Sequence, residues 1–290
     1  MKKYILLFTA VIFTAAANAQ ERDTTWRHSG VAGANMSQVS LSNWAAGGDP
    51  SVAFDLNFGY NLDYKKNKSL WTNRLELAYG LNDTKANGTR KTNDKIYLAS
   101  NYGYQIAPKW YASAFVTFQT QFDKGYNYSK DTDLYISKFM APGYLSAGLG
   151  FLWTPTSWLK VNLSPATWRG TFVLDDRLSD EGAFGVDKGK NLLNEFGANI
   201  LAEAKFKLME NMDLYSRLNL YSNYLKNPQN VDVQWDIQLN MKVNKWISAN
   251  LTLNMLYDDD TKTMKDGDPQ GGGAKLQFKE TLGVGLQVMF

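Results

Sequence analysis

The 290-residue sequence contains no cysteine and a single histidine, His28. The absence of cysteine excludes a disulfide framework and any metal site built from thiolates. A serine nucleophile normally needs a histidine as general base, so that chemistry would have to use His28. No G-x-S-x-G motif accompanies it, and its position in the first predicted strand favours an interfacial side chain beside Trp26. We therefore predict a protein that is not an enzyme and that carries no cofactor and no metal.

The sequence also lacks an excess of charge of either sign. It has 31 Lys and Arg against 28 Asp and Glu, a formal net charge of +3, so nothing indicates a nucleic-acid partner. The densest acidic stretch, 258–269, holds five Asp and two Lys but lacks the ordered spacing and closing Glu of an EF-hand loop. We interpret it as a hydrated loop of mixed charge that can meet lipopolysaccharide phosphates.

Long hydrophobic runs are absent after the opening twenty residues, MKKYILLFTAVIFTAAANAQ. A basic start, an apolar run to about residue 16 and an A-x-A site ending at Ala19 predict an export signal. The run is shorter than the roughly 18 residues that a membrane-spanning helix needs. We expect residues 1–19 to be a cleaved signal peptide and residues 20–290 to form one exported domain.

The remainder of the sequence is marked by strict alternation. In 54–64 and 231–243 every second residue is apolar, and side chains two apart share one face of a strand. Aromatic residues make up 14% of the chain although its mean hydropathy is −0.37. The runs reach about 10–14 residues, as tilted membrane strands do, whereas typical soluble strands have about 5–6. These observations predict an all-β protein, a transmembrane antiparallel up-and-down β-barrel.

Twelve segments alternate in this way, near 26–36, 51–64, 70–82, 94–106, 110–122, 144–153, 158–172, 193–208, 213–225, 231–243, 246–257 and 274–290. Short connections such as KKNKS and APK alternate with long ones near 37–50, 83–93, 123–143, 173–192 and 258–273, with a short exception at 226–230. An even strand number, short periplasmic turns and longer extracellular loops are typical of bacterial outer-membrane barrels. Tyr and Trp beside the connections predict aromatic belts at both membrane boundaries. We expect the protein in the cell outer membrane, in contact with outer-membrane lipid and lipopolysaccharide.

The terminal segment ETLGVGLQVMF places apolar side chains two residues apart, at Leu282, Val284, Leu286, Val288 and Phe290. On a strand they share one face, which we expect to lie against lipid. The segment resembles the carboxy-terminal signal of outer-membrane barrels. There the assembly machinery recognises it as a strand added to an open sheet edge. We predict that these residues form an assembly signal read by the barrel-assembly machinery during insertion.

The opposite, lumen-facing positions carry charges of both signs. The predicted lumen charge network comprises Arg74, Glu76, Glu203, Lys205, Arg217, Asp232, Asp236 and Lys242. Charges in a confined interior of low dielectric need partners, whereas a lining of one sign would indicate an ion-selective pore. We predict a largely closed lumen filled by its own salt bridges. The alternative is a narrow channel for small polar solutes or oligosaccharides, and a barrel enzyme is a second, less favoured alternative.

Four stretches are similar to one known family: QVSLSNWAAGGDPSVAF at 38–54, LWTNRLELAYG at 70–80, LSPATWRGTFVLDD at 163–176 and EGAFGV at 181–186. Together they resemble an uncharacterised family of Bacteroidota outer-membrane proteins, described only as a domain of unknown function. SNWAAGG is the most distinctive piece. The resemblance implies a barrel but brings with it no activity and no functional residues.

The SNWAAGG stretch indicates a loop that does not project into solvent. An external loop needs no Trp for solubility, so an exposed Trp44 would be an apolar liability. Gly47 and Gly48 allow positive φ angles or close backbone approach. We expect the loop to fold over or into the barrel mouth. It is either a plug that rigidifies the barrel or, through Asn43, Trp44 and Asp49, a docking surface for a ligand or an envelope protein partner.

Overall fold

The computed structural model describes residues 25–40, 50–128, 134–258 and 274–290. Three predictions fall outside the described residues: the signal peptide 1–19, nearly all of the acidic stretch, and the loop motif with Asn43, Trp44, Gly47, Gly48 and Asp49.

Twelve antiparallel strands close into one barrel, which confirms the predicted fold class and strand number. In chain order they are β1 Trp26–Val39, β2 Ser51–Lys66, β3 Ser69–Thr84, β4 Gly88–Ala107, β5 Trp110–Thr120, β8 Gly143–Trp153, β9 Leu159–Phe172, β10 Leu192–Met209, β11 Met212–Asn223, β12 Asp232–Lys242, β13 Ile247–Tyr257 and β14 Gln277–Met289. Two short strands outside the wall, β6 Gly125–Tyr126 and β7 Tyr135–Ser137, pair with each other. Each wall strand lies beside its neighbours in the chain, with β5 next to β8 and β14 next to β1.

The alternating apolar and polar residues of the sequence lie on the two opposite faces of the barrel wall. On β12, Trp235 is 39% exposed on the outer face while Asp236, the next residue, is 4% exposed inside. The Trp235 indole N–H donates to Ser216 Oγ at 2.9 Å, so its one polar group is satisfied on the outer surface. Polar side chains therefore line the lumen and apolar ones cover the exterior.

The two ends of the barrel differ. The turn end carries the connections 67–68, 108–109, 154–158, 210–211 and 243–246, together with Trp26 and Phe290. The loop end carries the other connections. The predicted long loop at 83–93 is wrong, because β3 and β4 stay paired as far as Thr84 and Gly88 and leave a turn of residues 85–87. Beyond the apolar belt both faces of a hairpin meet water, so alternation no longer marks the strand.

A small cap covers part of the loop end. It comprises residues 134–142 and 173–191, with helix α1 at Asp176–Glu181 and a 3-10 turn at Ala183–Gly185. Its core is a cluster of Ala141, Val173, Leu178 and Val186. Of the helices found in the described ranges, none has the length and apolar character needed to cross a membrane.

The seam between β1 and β14 is shorter than the others. The Gly30 N–H donates to Phe290 O at 2.7 Å and the Phe290 N–H donates to Gly30 O at 3.0 Å. Register pairs then continue from Val31 with Met289 to Asn35 with Gly285. By contrast, β1 pairs with β2 along its whole length. The wall is thus tied at the turn end of this seam.

Candidate functional site: the barrel lumen

One wall of the lumen presents a group of charged residues from β3 and β4. Arg74 forms an ion pair with Glu76, and Lys95 Nζ lies 2.6 Å from Glu76 Oε2. Tyr97 is directly opposite Glu76 in the register. Glu76 therefore has two cationic partners on its own side of the barrel.

The facing wall presents a matching group from β10, β11 and β12. Arg217 donates to Asp236 Oδ2 from Nη2 at 2.7 Å and from Nε at 3.2 Å. The Tyr215 hydroxyl donates to Glu203 Oε1 at 2.5 Å. Arg217 is 6% exposed, so its charge is almost fully withdrawn from solvent.

These two groups meet across the lumen. Five strands separate β3 from β11 in either direction around the ring, so they stand on opposite sides. Arg217 Nη1 nevertheless lies 3.6 Å from Glu76 Oε1, and Arg74 Nη1 lies 3.9 Å from Glu203 Oε1. We call the eight residues the cross-lumen cluster: Arg74, Glu76, Lys95, Tyr97, Glu203, Tyr215, Arg217 and Asp236.

Aromatic rings fill the space between the guanidinium groups. The Cζ atom of Arg74 lies 4.4 Å from the ring centroid of Tyr215, and that of Arg217 lies 4.7 Å from the centroid of Tyr97. Both contacts again join opposite walls. A cation over an aromatic face is attracted by the ring quadrupole, more strongly where water is excluded.

The cross-lumen cluster is balanced in charge. Its three cations, Arg74, Lys95 and Arg217, face the three carboxylates Glu76, Glu203 and Asp236. Burying an ion costs several kcal/mol, which mutual pairing and hydrogen bonding must offset. A cluster without net charge supplies the pairing and leaves no field of one sign to draw ions through.

A second ionic group lies nearer the loop end. Arg169 makes a bidentate pair with Glu195, from Nε at 2.6 Å and Nη2 at 2.8 Å, and its Nη1 lies 2.9 Å from Asp232 Oδ2. Its Cζ atom is 4.0 Å from the ring centroid of Tyr221. Asp232, predicted as part of one lumen network, thus belongs with this loop-side group.

Arg169 is not among the lumen charges that the alternation predicts, although the sequence carries a signal for it. The register of β9 shifts against β10 between Ser164 and Thr167 and against β8 between Leu163 and Ala166, which marks a β-bulge. Buried lumen positions therefore include Asn162 and Ser164 before the bulge but Thr167 and Thr171 after it. The change from even to odd polar positions around Pro165 is readable in the sequence and places Arg169 inside.

Not every predicted lumen charge joins these groups. Lys205 and Lys242 are exposed, and neither takes part in an ion pair among the residues that the structure describes. Both strands end within a few residues of these lysines at the turn end, where water reaches their ammonium groups.

The predicted assembly segment faces outward. Leu282, Val284 and Leu286 are all more than half exposed on the outer face. Val288 pairs with Ala32 on the same face, and the Phe290 ring lies 6.4 Å from the ring of Tyr60. This geometry places the apolar side of β14 where surrounding lipid would contact it.

Aromatic pairs ring the outer wall at the turn end. Ring centroids lie 4.8 Å apart for Trp26 and Tyr64 and 5.8 Å apart for Trp110 and Trp153. At the loop end, Tyr79 and Phe122 make an edge contact at 6.4 Å. Two aromatic belts bordering an apolar band are the surface of a barrel that spans a membrane.

Comparison with known proteins gives a family and a set of barrels. Residues 36–126, about a third of the chain, match a family described as "Protein of unknown function (DUF3078)". The similarity to an uncharacterised family is therefore confirmed over that range, which includes the stretches 38–54 and 70–80. No curated protein matches the chain.

Solved structures with similar folds include an outer membrane channel, a porin and an autotransporter translocator domain. The COG4313 outer membrane channel from Pseudomonas putida F1 has 11% identity and a TM-score of 0.42, with 94% of this chain and 98% of that one covered. The NanC porin has 10% identity and a TM-score of 0.39, with 89% and 98% covered. The translocator domain of the autotransporter NalP from Neisseria meningitidis has 10% identity and a TM-score of 0.36, with 99% and 96% covered.

Proposed function

We propose that the protein is an integral outer-membrane barrel with a non-enzymatic, structural or accessory role in the cell envelope and a lumen closed by ion pairs. The observation that carries the proposal is the contact of Arg217 with Glu76, 3.6 Å between residues on opposite walls. An arginine that reaches the far wall leaves little room for a solute to pass. The apolar exterior and the aromatic belts support the membrane location.

Electrostatics favours closure over conduction. A solute crossing the lumen would have to separate Arg217 from Glu76 and Arg74 from Glu203, and each separation would leave buried charges without partners. The loop-side group around Arg169 adds a second such barrier. The assembly segment fits a stable barrel that the barrel-assembly machinery inserts. The cap fits a surface that a further envelope protein can contact.

Planar-bilayer recording tests closure directly. The purified protein should show little steady conductance at either polarity. Large, regular conductance steps would overturn the closed-lumen proposal and favour the channel. Detergent extraction from outer membranes and a heat-modifiable gel band test the membrane location separately, and recovery as a soluble periplasmic protein would refute it.

A narrow polar channel is the second candidate, and one observation favours it. Several buried lumen atoms have no hydrogen-bond partner within the described part of the chain, among them Asn101 Oδ1, Asn162 Nδ2 and Asn250 Oδ1. Buried amides of this kind are normally satisfied by ordered water. A hydrated layer beside the cross-lumen cluster is what a polar solute would use if the ion pairs could part.

The non-enzymatic part of the proposal rests on His28. It shares the outer face of β1 with Trp26, and its ring lies 6.3 Å from that of Tyr60. An imidazole among aromatic side chains at the turn end has the surroundings of an interfacial residue rather than of a general base. A lipid-hydrolysis assay with the purified barrel should give no turnover above background, and turnover lost in His28→Ala would contradict this.

A further inference from the structure

The seam between β1 and β14 is left unpaired on its loop half. Pairing stops at Asn35 with Gly285, yet Met36–Val39 remain paired to β2 and residues 277–283 remain paired to β13. Among the described residues no register pair joins Met36–Val39 to β14. The edges of β1 and β14 therefore lie next to each other here without strand pairing between the described residues.

The side chains at these edges sort by polarity. On the outer lip Met36 is 57% exposed and Leu282 is 67% exposed. On the inner lip Lys279 and Thr281 are exposed although their positions face the lumen. By contrast, Thr252, which pairs with Thr281 on the next strand, is half-buried rather than exposed, as expected for a lumen position in an intact wall.

The unpaired stretch opens on the loop side of the cross-lumen cluster. Asn35, where the pairing stops, is in register with Asp55, and Asp55 is in register with Gly80. On β3, Gly80 is nearer the loop end than Glu76. The space behind the edges is thus the loop-side part of the lumen, which the cluster separates from the turn end.

We infer that this part of the seam is a lateral opening that admits an acyl-chain amphiphile from the surrounding membrane, with its phosphate-bearing head group turned toward the lumen. Unpaired backbone groups do not persist against hydrocarbon, so the edges need polar partners. A lipid head group supplies them, while its acyl chain lies against the apolar outer lip. The inference rests on the proposed placement in a membrane.

The charges inside fit a head group of this kind. Lys279 is the cation on the inner lip, and its Nζ donates to the Thr92 carbonyl at 3.3 Å on the far side of the opening. The carboxylate of Asp55 also acts on the charge of Lys279, and it accepts a hydrogen bond from Asn93 Nδ2 at 3.1 Å. A phosphate that approaches Lys279 would meet an ammonium group whose hydrogen bond goes to a neutral carbonyl.

Fluorescence quenching tests the opening, because the chain has no cysteine and one introduced thiol takes the label. Thr281→Cys, Thr252→Cys and Leu282→Cys would each carry a bimane in vesicles of phosphatidylcholine with brominated acyl chains. The labels at Leu282 and Thr281 should lose emission relative to unbrominated vesicles, while the label at Thr252 should not.

The three labels distinguish a failure of the lateral opening from a failure of the membrane placement. If the label at Leu282 is quenched but that at Thr281 is not, the lateral opening is refuted and the membrane barrel stands. If the label at Leu282 is not quenched, the membrane placement itself fails and the opening with it. Quenching at Thr252 would mean that lipid enters the lumen by another route, which also overturns the inference.

A cysteine pair tests the edges themselves. Because Gly30 and Phe290 exchange both hydrogen bonds, odd-numbered β1 residues occupy the closer, non-hydrogen-bonded rows of this seam. Continuing the register would place Ser37 opposite Gly283, in the same class as the observed pair of Val31 with Met289. Val31→Cys/Met289→Cys should oxidise readily, whereas Ser37→Cys/Gly283→Cys should need a longer bis-maleimide. Equal oxidation of both pairs would show a closed seam.

Discussion

Arg217 and Glu76 touch across the diameter of the barrel, with Nη1 3.6 Å from Oε1, although five strands separate them along either arc of the wall. Each also has a partner on its own side, Asp236 for Arg217 and Lys95 for Glu76. The contact therefore joins two wall-bound pairs into one unit. Loss of either residue would leave a charge without its cross-lumen partner.

Replacing Arg74 and Arg217 together with Ala should open a leak and lower stability. The change strips the cross-lumen cluster of two cations and leaves Glu76, Glu203 and Asp236 with too few partners. Removing one partner of a buried pair costs about 3–5 kcal/mol. Planar-bilayer conductance and the temperature at which the folded gel band disappears would measure the two effects.

The control for this double variant is Lys242→Ala, which removes an exposed cation near the turn end. It should leave both conductance and melting unchanged. A double variant that matches this control in both measurements would show that the cluster does not close the lumen.

Deleting Phe290 should slow insertion. Phe290 extends the outward row of β14 and stacks near Tyr60, and its backbone exchanges hydrogen bonds with Gly30 at the closing seam. Its loss removes both the terminal aromatic and one tie between the first and last strands. Pulse-chase labelling with protease treatment of the periplasm would follow the unassembled chain. Normal kinetics and normal membrane levels would count against a signal at this position.

Acid should loosen the cap through Asp175. Burial raises the pKa of this carboxyl, but hydrogen bonds from Lys138, from the Leu178 N–H and from the Tyr135 hydroxyl outweigh it and lower the pKa to about 2. A pKa lowered on folding gives stability that is complete above the ordinary value of 3.8 and is lost as pH falls toward about 2. The protection of the Leu178 amide from hydrogen exchange, measured relative to an unstructured peptide at the same pH, should therefore fall across this window.

Asp175→Asn should show fast exchange of the same amide already at neutral pH. Its neighbour Asp176 is exposed, and Asp176→Asn serves as the matched control with exchange like that of the unmodified protein. If exchange in Asp175→Asn kept the pH dependence of the unmodified protein, another group would be responsible.

Trp44 should be shielded from an aqueous quencher, as both interpretations of the SNWAAGG loop require. They differ in what Trp44→Ala does. A plug would give a lower melting temperature or a leak with any interaction retained, whereas a docking surface would give an intact barrel that loses its partner. A freely quenched Trp44 whose replacement changes neither stability nor binding would refute both.

The strands of the wall were predictable because residues on the same face of a strand recur at every second position of the sequence. In the stretch 231–243 apolar and polar residues alternate without a break, and β12 extends through it from Asp232 to Lys242. The alternation fades where both faces meet water, which is why the sequence predicts a long loop at 83–93 where the structure has a turn of residues 85–87. Strand ends are therefore predicted well only inside the apolar band.

The contacts inside the lumen were not predictable in the same way. The sequence places Arg217 and Glu76 on inner faces, but which residues meet across the barrel depends on the strand tilt and stagger that accumulate around the ring. The same holds for the open part of the β1 and β14 seam, because the pairing of the first strand with the last depends on the registers of all the strand pairs between them. The local alternation of polar and apolar residues does not determine those registers.

The bulge in β9 accommodates one residue more than the neighbouring strands have, and it keeps the polar side chains of β9 on the lumen face before and after it. If β9 kept this residue but paired with β8 and β10 in one unbroken register, without the bulge around Pro165, the two faces of everything that follows would be exchanged. Trp168 would then turn into the lumen and Arg169 would turn out to lipid, where a charged side chain costs about 2–4 kcal/mol near the midplane. Glu195 and Asp232 would lose their shared cation in the same step. The bulge at one residue thus decides whether the following half-strand presents Arg169 to the lumen or to lipid.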